Sequence, residues 1–255
     1  MTMNNEGRAT LDRLRPLALL ALGKTGADIE RLVREVRRAS RRSGRAIGWR
    51  DLEAALRAGE AAMSVELRRR AAVHEAGHAL VYTLTGIAQV QSVSIGLGDI
   101  GMVTTTMNNS LAQTEAWLMR SITCLLAGRV AERMMIGDVV AGGGGADDSD
   151  LAQATSLALA AETSLGFSAH QPLLYRSPGV ALAALGHDPQ LAARVHRRLE
   201  RGEGIARELV EAHRDALGEI VAVLEGNGIL SGEDVRLIVQ RATATAHMFA
   251  EDPEA

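Results

Sequence analysis

The chain has 255 residues, 47% hydrophobic and 23% charged, with a net charge of −3, an ordinary balance for a soluble globular protein of one large or two small domains. Aromatic residues are only 2% of the chain, so any core must be built from Ala, Leu, Val and Ile, a composition that favours helices. A single cysteine, Cys124, excludes an intramolecular disulfide and points to a reducing compartment, and no apolar run approaches the roughly 18–20 residues of a membrane span or has the pattern of a signal peptide.

Residues 1–10 are polar and are expected to be disordered. Residues 26–43 place Ile29, Leu32, Val33 and Val36 at helical spacing, with Gly44 as the stop. A second short helix is expected over 51–56, closing a small helical unit near residue 63. Residues 1–72 carry 16 Arg or Lys against 9 Asp or Glu. This excess reads as a solvated Arg face and not as a nucleic-acid surface, since 31–45 has no interleaved aromatics and no recognition motif. A helix starting at Ser64 and stopping at Gly86 follows. Val90 and 92–95 then alternate as a strand, 96–101 is turn material, and 102–107 reads as a second strand.

Ser110 and Gln113 have the spacing of a capping box, predicting a helix to about Ile136 with Gly137 as its stop. Within it Cys124 lies in an apolar run and is expected to be a core thiol, not a nucleophile. Gly142–Gly145 predicts a flexible loop. A helix over about 149–165 is expected to stop at Gly166, and 167–187, with Pro172 and Pro178, to be irregular. Two helices, 188–199 and 203–225, and a last one capped by Ser231 and Asp234 and ending near 247, complete the chain, with a disordered tail over 249–255. The fold class is therefore mainly α with a small β-hairpin or sheet. Residues 1–63 form a helical segment and 64–248 the main domain.

The chemistry is concentrated at His74-Glu75-Ala76-Gly77-His78. Two His four residues apart project from one face of a helix and can offer imidazole nitrogens to one metal ion, while the intervening Glu can take a proton from a water the metal activates. The surrounding residues 71–84 are mostly apolar, where two His and a Glu are costly unless something satisfies them. Zinc would do so. A catalytic zinc takes three protein ligands, so a third must come from elsewhere. Asp147, Asp148 and Asp150 follow the glycine loop and open a helix, where acids also serve as caps. Glu132 sits inside an apolar helix. The remaining His (170, 187, 196, 213, 247) lie among charges and read as solvated.

Several motifs together resemble the FtsH-type zinc protease domain of the AAA+ proteases, over roughly residues 64–245. VHEAGHALV is similar to its zinc-binding helix, LLAGRVAERMMIGDV to its G-G-R-A-A-E-E helix and turn, SDLAQAT to its N-D-[IL]-x-x-A-T ligand segment, and GFS…PLLY to the segment after that. The resemblance implies that Asp150 is the third zinc ligand beside His74 and His78, and that Glu75 is the general base. It implies for Glu132 a supporting role, orienting a liganding His through its other ring nitrogen, with direct ligation as the alternative. GKTGADIERLVREVRR resembles the C-terminal helical lid of an AAA+ ATPase. Gly23-Lys24-Thr25 is not a P-loop, because the glycine five residues earlier is replaced by Ala18. The ATPase core and the family's membrane segments are thus expected to be absent.

The implied function is a zinc-dependent metalloendopeptidase acting on unfolded or damaged proteins. It would be cytoplasmic or membrane-associated through a partner, fed by an AAA+ ATPase in trans, and a hexamer like its relatives. The strand 102–107 is a candidate edge for binding substrate as an added strand. The alternative is a zinc-containing binding partner of an AAA+ protein with little proteolysis of its own.

Overall fold

A computed structural model describes residues 24–58, 63–96 and 100–250, with residues 14, 17, 18, 20 and 21. The segment 1–10 and residues 251–255 of the expected tail lie outside the described residues. The chain divides into two compact units, Met1–Ser64 with Gly96–Ile100, and Val65–Ile95 with Gly101–Ala255.

In the first unit, α1 (Gly26–Ser43) begins at a capping box. The Thr25 hydroxyl accepts from Asp28 N at 3.2 Å and the Asp28 carboxylate accepts from Thr25 N at 3.0 Å, so two orphan donors of the first turn are satisfied. Gly44 ends the helix at φ 62, a left-handed cap that favours glycine. A two-pronged ion pair from Arg45 to Asp51, 3.1 and 2.5 Å, links the turn to α2 (Trp49–Leu56). Val36 and Leu56 are buried. Arg31 and Arg34 are exposed and pair with Asp28 and Glu30 of their own helix, as a solvated Arg face does.

In the second unit, α3 (Val65–Thr85) carries the His-Glu-His motif and ends at Gly86, φ 64. From Ala71 to Val81 it is buried on nearly every side, packed on α4 (Glu115–Met135), α8 (Arg214–Asn227) and β1 (Ala88–Ile95). β1 pairs antiparallel with β2 (Gly101–Met107), from Ala88↔Met107 to Ile95↔Gly101, with a bulge between Val90 and Ser92. On its other side β1 pairs with β3 (Ile229–Ser231), a strand that three residues could not signal in the sequence. The order β2-β1-β3 makes β2 an edge strand.

Four expectations are corrected. Helix α4 begins at Glu115, not at Ser110: Thr114 caps it, its hydroxyl accepting from Trp117 N at 3.3 Å, whereas Ser110 N donates to Asn108 Oδ1 within the turn after β2. The stretch 167–187 is not wholly irregular, since Pro178 opens the short helix α6 (Pro178–Ala184) after α5 (Asp150–Thr163). There is no break at 200–202. α7 runs unbroken from Pro189 to Ala212, and the chain turns at His213. Gly202 is instead a contact glycine, where a Cβ would come within 2.6 Å of Ile122 Cγ2. The last helix, α9 (Gly232–Ala250), reaches beyond 247 into the expected tail.

The core is aliphatic, as the composition requires. Leu118, Ile122 and Leu126 of α4 pack with Ala158 of α5 and Leu191 and Val195 of α7. One buried acid ties these helices. Glu162 of α5 takes the Arg198 Nε–H at 2.5 Å, the Arg194 Nε–H at 3.1 Å and the Ser168 hydroxyl at 2.9 Å, while Arg198 also donates to Glu115 and to the Phe167 carbonyl. Burial pushes the Glu162 pKa up, but the bonds from Arg198 and Ser168 outweigh it and leave it below the ordinary value. Its stabilisation is therefore present above the unfolded glutamate pKa of about 4.3 and is lost as pH falls through the lower folded value. Glu162→Gln is expected to cost roughly 2–4 kcal/mol at neutral pH, and denaturation series should show the gap to wild type closing as the solution is acidified below about pH 4.

Candidate metal centre

The three nominated ligands meet at one point. His74 and His78 lie one turn apart on α3, and Asp150 is the first residue of α5, behind the Ser149 cap. His74 Nε2 and His78 Nε2 are 3.1 Å apart, and each is 3.2 Å from Asp150 Oδ2. Donors about 2.0–2.1 Å from a tetrahedral zinc lie about 3.3 Å from one another, so the spacing fits one ion. Among the described residues this is the one group of His, Cys, Asp and Glu that could hold a metal.

The ring orientations are set from behind. His74 Nδ1 faces Glu132 Oε1 at 2.5 Å and His78 Nδ1 faces the Cys124 carbonyl at 2.8 Å. Carboxylate and carbonyl oxygens accept, so both Nδ1 atoms carry a proton and the Nε2 atoms are the ones turned to the shared point, where a metal ion competes with a second proton. Glu132 is 1% exposed and its second oxygen accepts from Val140 N at 2.9 Å. It therefore stands on the far side of His74 from the three-donor cluster. Asp147 and Asp148 are exposed and outside that cluster. His196 lies against Glu200 on the surface, and His213 Nδ1 faces the carbonyl of Leu209.

The electrostatics favour a cation. Burial lowers the pKa of His74, but the carboxylates of Asp150 and Glu132 outweigh it and hold the imidazole up at about 10. Burial raises the Asp150 pKa, yet the two imidazoles bring it well below the usual carboxylate range. Glu75 is buried and pushed up by desolvation, against the pull of His78 and His74, which is the direction a base working near neutrality needs. Burial raises the Cys124 thiol to about 12 and Thr85 Oγ1 is 3.3 Å from its sulfur, so the thiol is inert. Its contribution to the site is its backbone carbonyl, which no sequence pattern signals.

Gly101, the first residue of β2, is a second contributor that the sequence did not single out. A Cβ there would lie 2.5 Å from Glu75 Oε1 and 2.6 Å from its Cγ. The edge strand thus begins with its backbone against the motif glutamate.

A profile of peptidase family M41 matches residues 61–238. The chain belongs to this family. It is 36% identical over 212 residues to the ATP-dependent zinc metalloprotease FtsH 1 of Sorangium cellulosum, covering 78% of this chain and 32% of that protein. It is 31% identical over 256 residues to the ATP-dependent zinc metalloprotease FtsH of Methylococcus capsulatus, covering 91% and 40%. The FtsH 2 protein of Symbiobacterium thermophilum is 33% identical, with 85% and 39% covered. The chain thus spans about a third to two-fifths of the length of these relatives. No helix among its described residues is long and apolar enough to cross a membrane.

In this M41 chain Glu132 serves two donors at once, His74 Nδ1–H and Val140 N–H. A glutamine has one carbonyl oxygen and can accept from only one of them. Glu132→Gln is therefore expected to weaken zinc binding by about 10–100-fold, measured by competition with a chromophoric chelator.

Proposed function

We propose that this chain is a zinc-dependent metalloendopeptidase in which His74, His78 and Asp150 hold the metal and Glu75 is the general base. The observation that carries the proposal is the triangle of His74 Nε2, His78 Nε2 and Asp150 Oδ2, 3.1–3.2 Å on a side, with both opposite ring nitrogens engaged as donors. When bound, zinc would supply Lewis acidity at neutral pH, activating a water and polarising the scissile carbonyl. The chain's own part is to turn the three ligand atoms towards one point and to keep the base on the same helix as the two His. Glu75 takes the proton of the attacking water and returns it to the leaving amine.

The position of β2 supports a peptide substrate. It is an edge strand and its first residue abuts Glu75. An extended segment added to that edge would be held by main-chain hydrogen bonds independent of its sequence and would pass beside the base. Unfolded or damaged polypeptides are therefore the substrate class we propose. The names of the relatives support an ATP-dependent process for those proteins. For this chain we propose an AAA+ ATPase acting in trans and a homo-oligomer, a hexamer by resemblance, in the cytoplasm or held at a membrane by its partner. Residues 1–63 are assigned as lid-like helices and 64–248 as the peptidase domain.

Purified protein should contain about one zinc per chain, and Asp150→Ala should lose most of it. Full occupancy in that variant would remove Asp150 from the ligand set. Glu75→Gln should keep its zinc and cleave casein roughly 100–10,000-fold more slowly, and undiminished cleavage would exclude Glu75 as the base.

A further inference from the structure

We infer that Gly128 is the residue that keeps the metal position open, and that it is glycine because any side chain there would stand where the ion must be. This rests on the zinc assignment above and extends it to a residue that offers no ligand. A Cβ at position 128 would lie 2.5 Å from His78 Nε2, 2.7 Å from His74 Nε2 and 2.8 Å from His74 Cδ2. The first two atoms are those turned to the shared point, so the methyl group would press on both nitrogens inside contact distance and crowd out an ion that needs about 2.0–2.1 Å from each.

Position 128 also has a place in a pattern. Cys124, Gly128 and Glu132 are four residues apart and share one stripe of α4. Cys124 offers its carbonyl to His78, Glu132 its carboxylate to His74, and the glycine between them offers empty space. Neither imidazole can swing away from a Cβ without giving up its Nδ1–H bond to that same stripe.

Backbone geometry does not require the glycine. Gly128 lies inside the regular helix α4, and it is not among the glycines with positive φ. Glycine is a poor residue for a helix interior. Nor is it there to let the helices approach, for the three atoms nearest its missing Cβ all belong to the two imidazoles. Gly77 is the contrast. Its Cβ would meet the Ala127 carbonyl oxygen at 2.6 Å and Ala131 Cβ at 2.7 Å, so it is a packing glycine whose replacement forces α3 and α4 apart.

The two roles separate in an experiment on the whole chain. Zinc content is measured after reconstitution, and melting temperature with and without chelator, for wild type, Gly128→Ala and Gly77→Ala. Gly128→Ala should lose zinc by more than the roughly 10–100-fold that follows loss of a supporting hydrogen bond. Its melting temperature under chelator should fall less than that of Gly77→Ala, since the methyl group displaces two side-chain rings and not the facing helix backbone, and alanine is the better helix former. Gly77→Ala should melt lower than wild type under chelator. Full zinc occupancy in Gly128→Ala, or a melting temperature under chelator that falls as that of Gly77→Ala does, would overturn the inference. A wild type that takes up no zinc would overturn the metal assignment itself, and this inference with it.

Discussion

The close crossing of α3 and α4 is the constraint on which the rest of the structure depends. At Gly77 the two helices are near enough that a single methyl group would strike the Ala127 carbonyl. Such an approach is open only to small residues, and the positions facing Gly77 are Ala127 and Ala131. Helix α4 therefore does more than cover α3. It brings a backbone carbonyl and a buried carboxylate into hydrogen-bond range of both imidazoles. A wider separation, set by larger side chains at the contact, would leave both Nδ1 atoms without those partners and the rings without a defined orientation.

Polar groups buried in such an interface have to be satisfied or they cost stability. Here the satisfaction is reciprocal and nearly complete on one side. Glu132 accepts from His74 and from Val140 N, and His78 donates to Cys124. On the other side, the two Nε2 atoms and Asp150 Oδ2 are close enough to repel unless a positive charge lies among them. The elevated pKa of His74 and the depressed one of Asp150 express the same demand, since a proton and a metal ion compete for this position. The sheet adds the remaining element. β1 is paired on both sides, which leaves β2 as one of the two edges, with its first residue at Glu75.

Much of this was legible in the chain. The helices α1 and α3, the hairpin strands and the aliphatic core follow from periodicity, glycine stops and a low aromatic content. The departures have local physical causes. Thr114, not Ser110, caps α4, because the helix starts only at Glu115 and Ser110 still belongs to the turn after β2. The expected break between 199 and 203 does not occur; Gly202 inside it serves the packing of α7 on α4, a tertiary use that a helix-propensity argument cannot register. Strand β3 has three residues and is a strand only because β1 offers it a partner.

The motif at 74–78 determined by itself that two imidazoles and a carboxylate share a helix, because residues four apart fall on one face whatever surrounds them. Likewise a resemblance in four short segments was enough to nominate Asp150. What only the tertiary structure decided is which atoms meet. Asp150 is 72 residues from His78, and nothing local brings its oxygen to 3.2 Å from that ring. The packing of α5 and α4 does. The placement of Glu132 behind His74, and not beside Asp150, was also undecided until the helices were packed. A side chain's direction is local, but its partner is set by the crossing of two helices whose closeness depends on residues with almost no side chain at all.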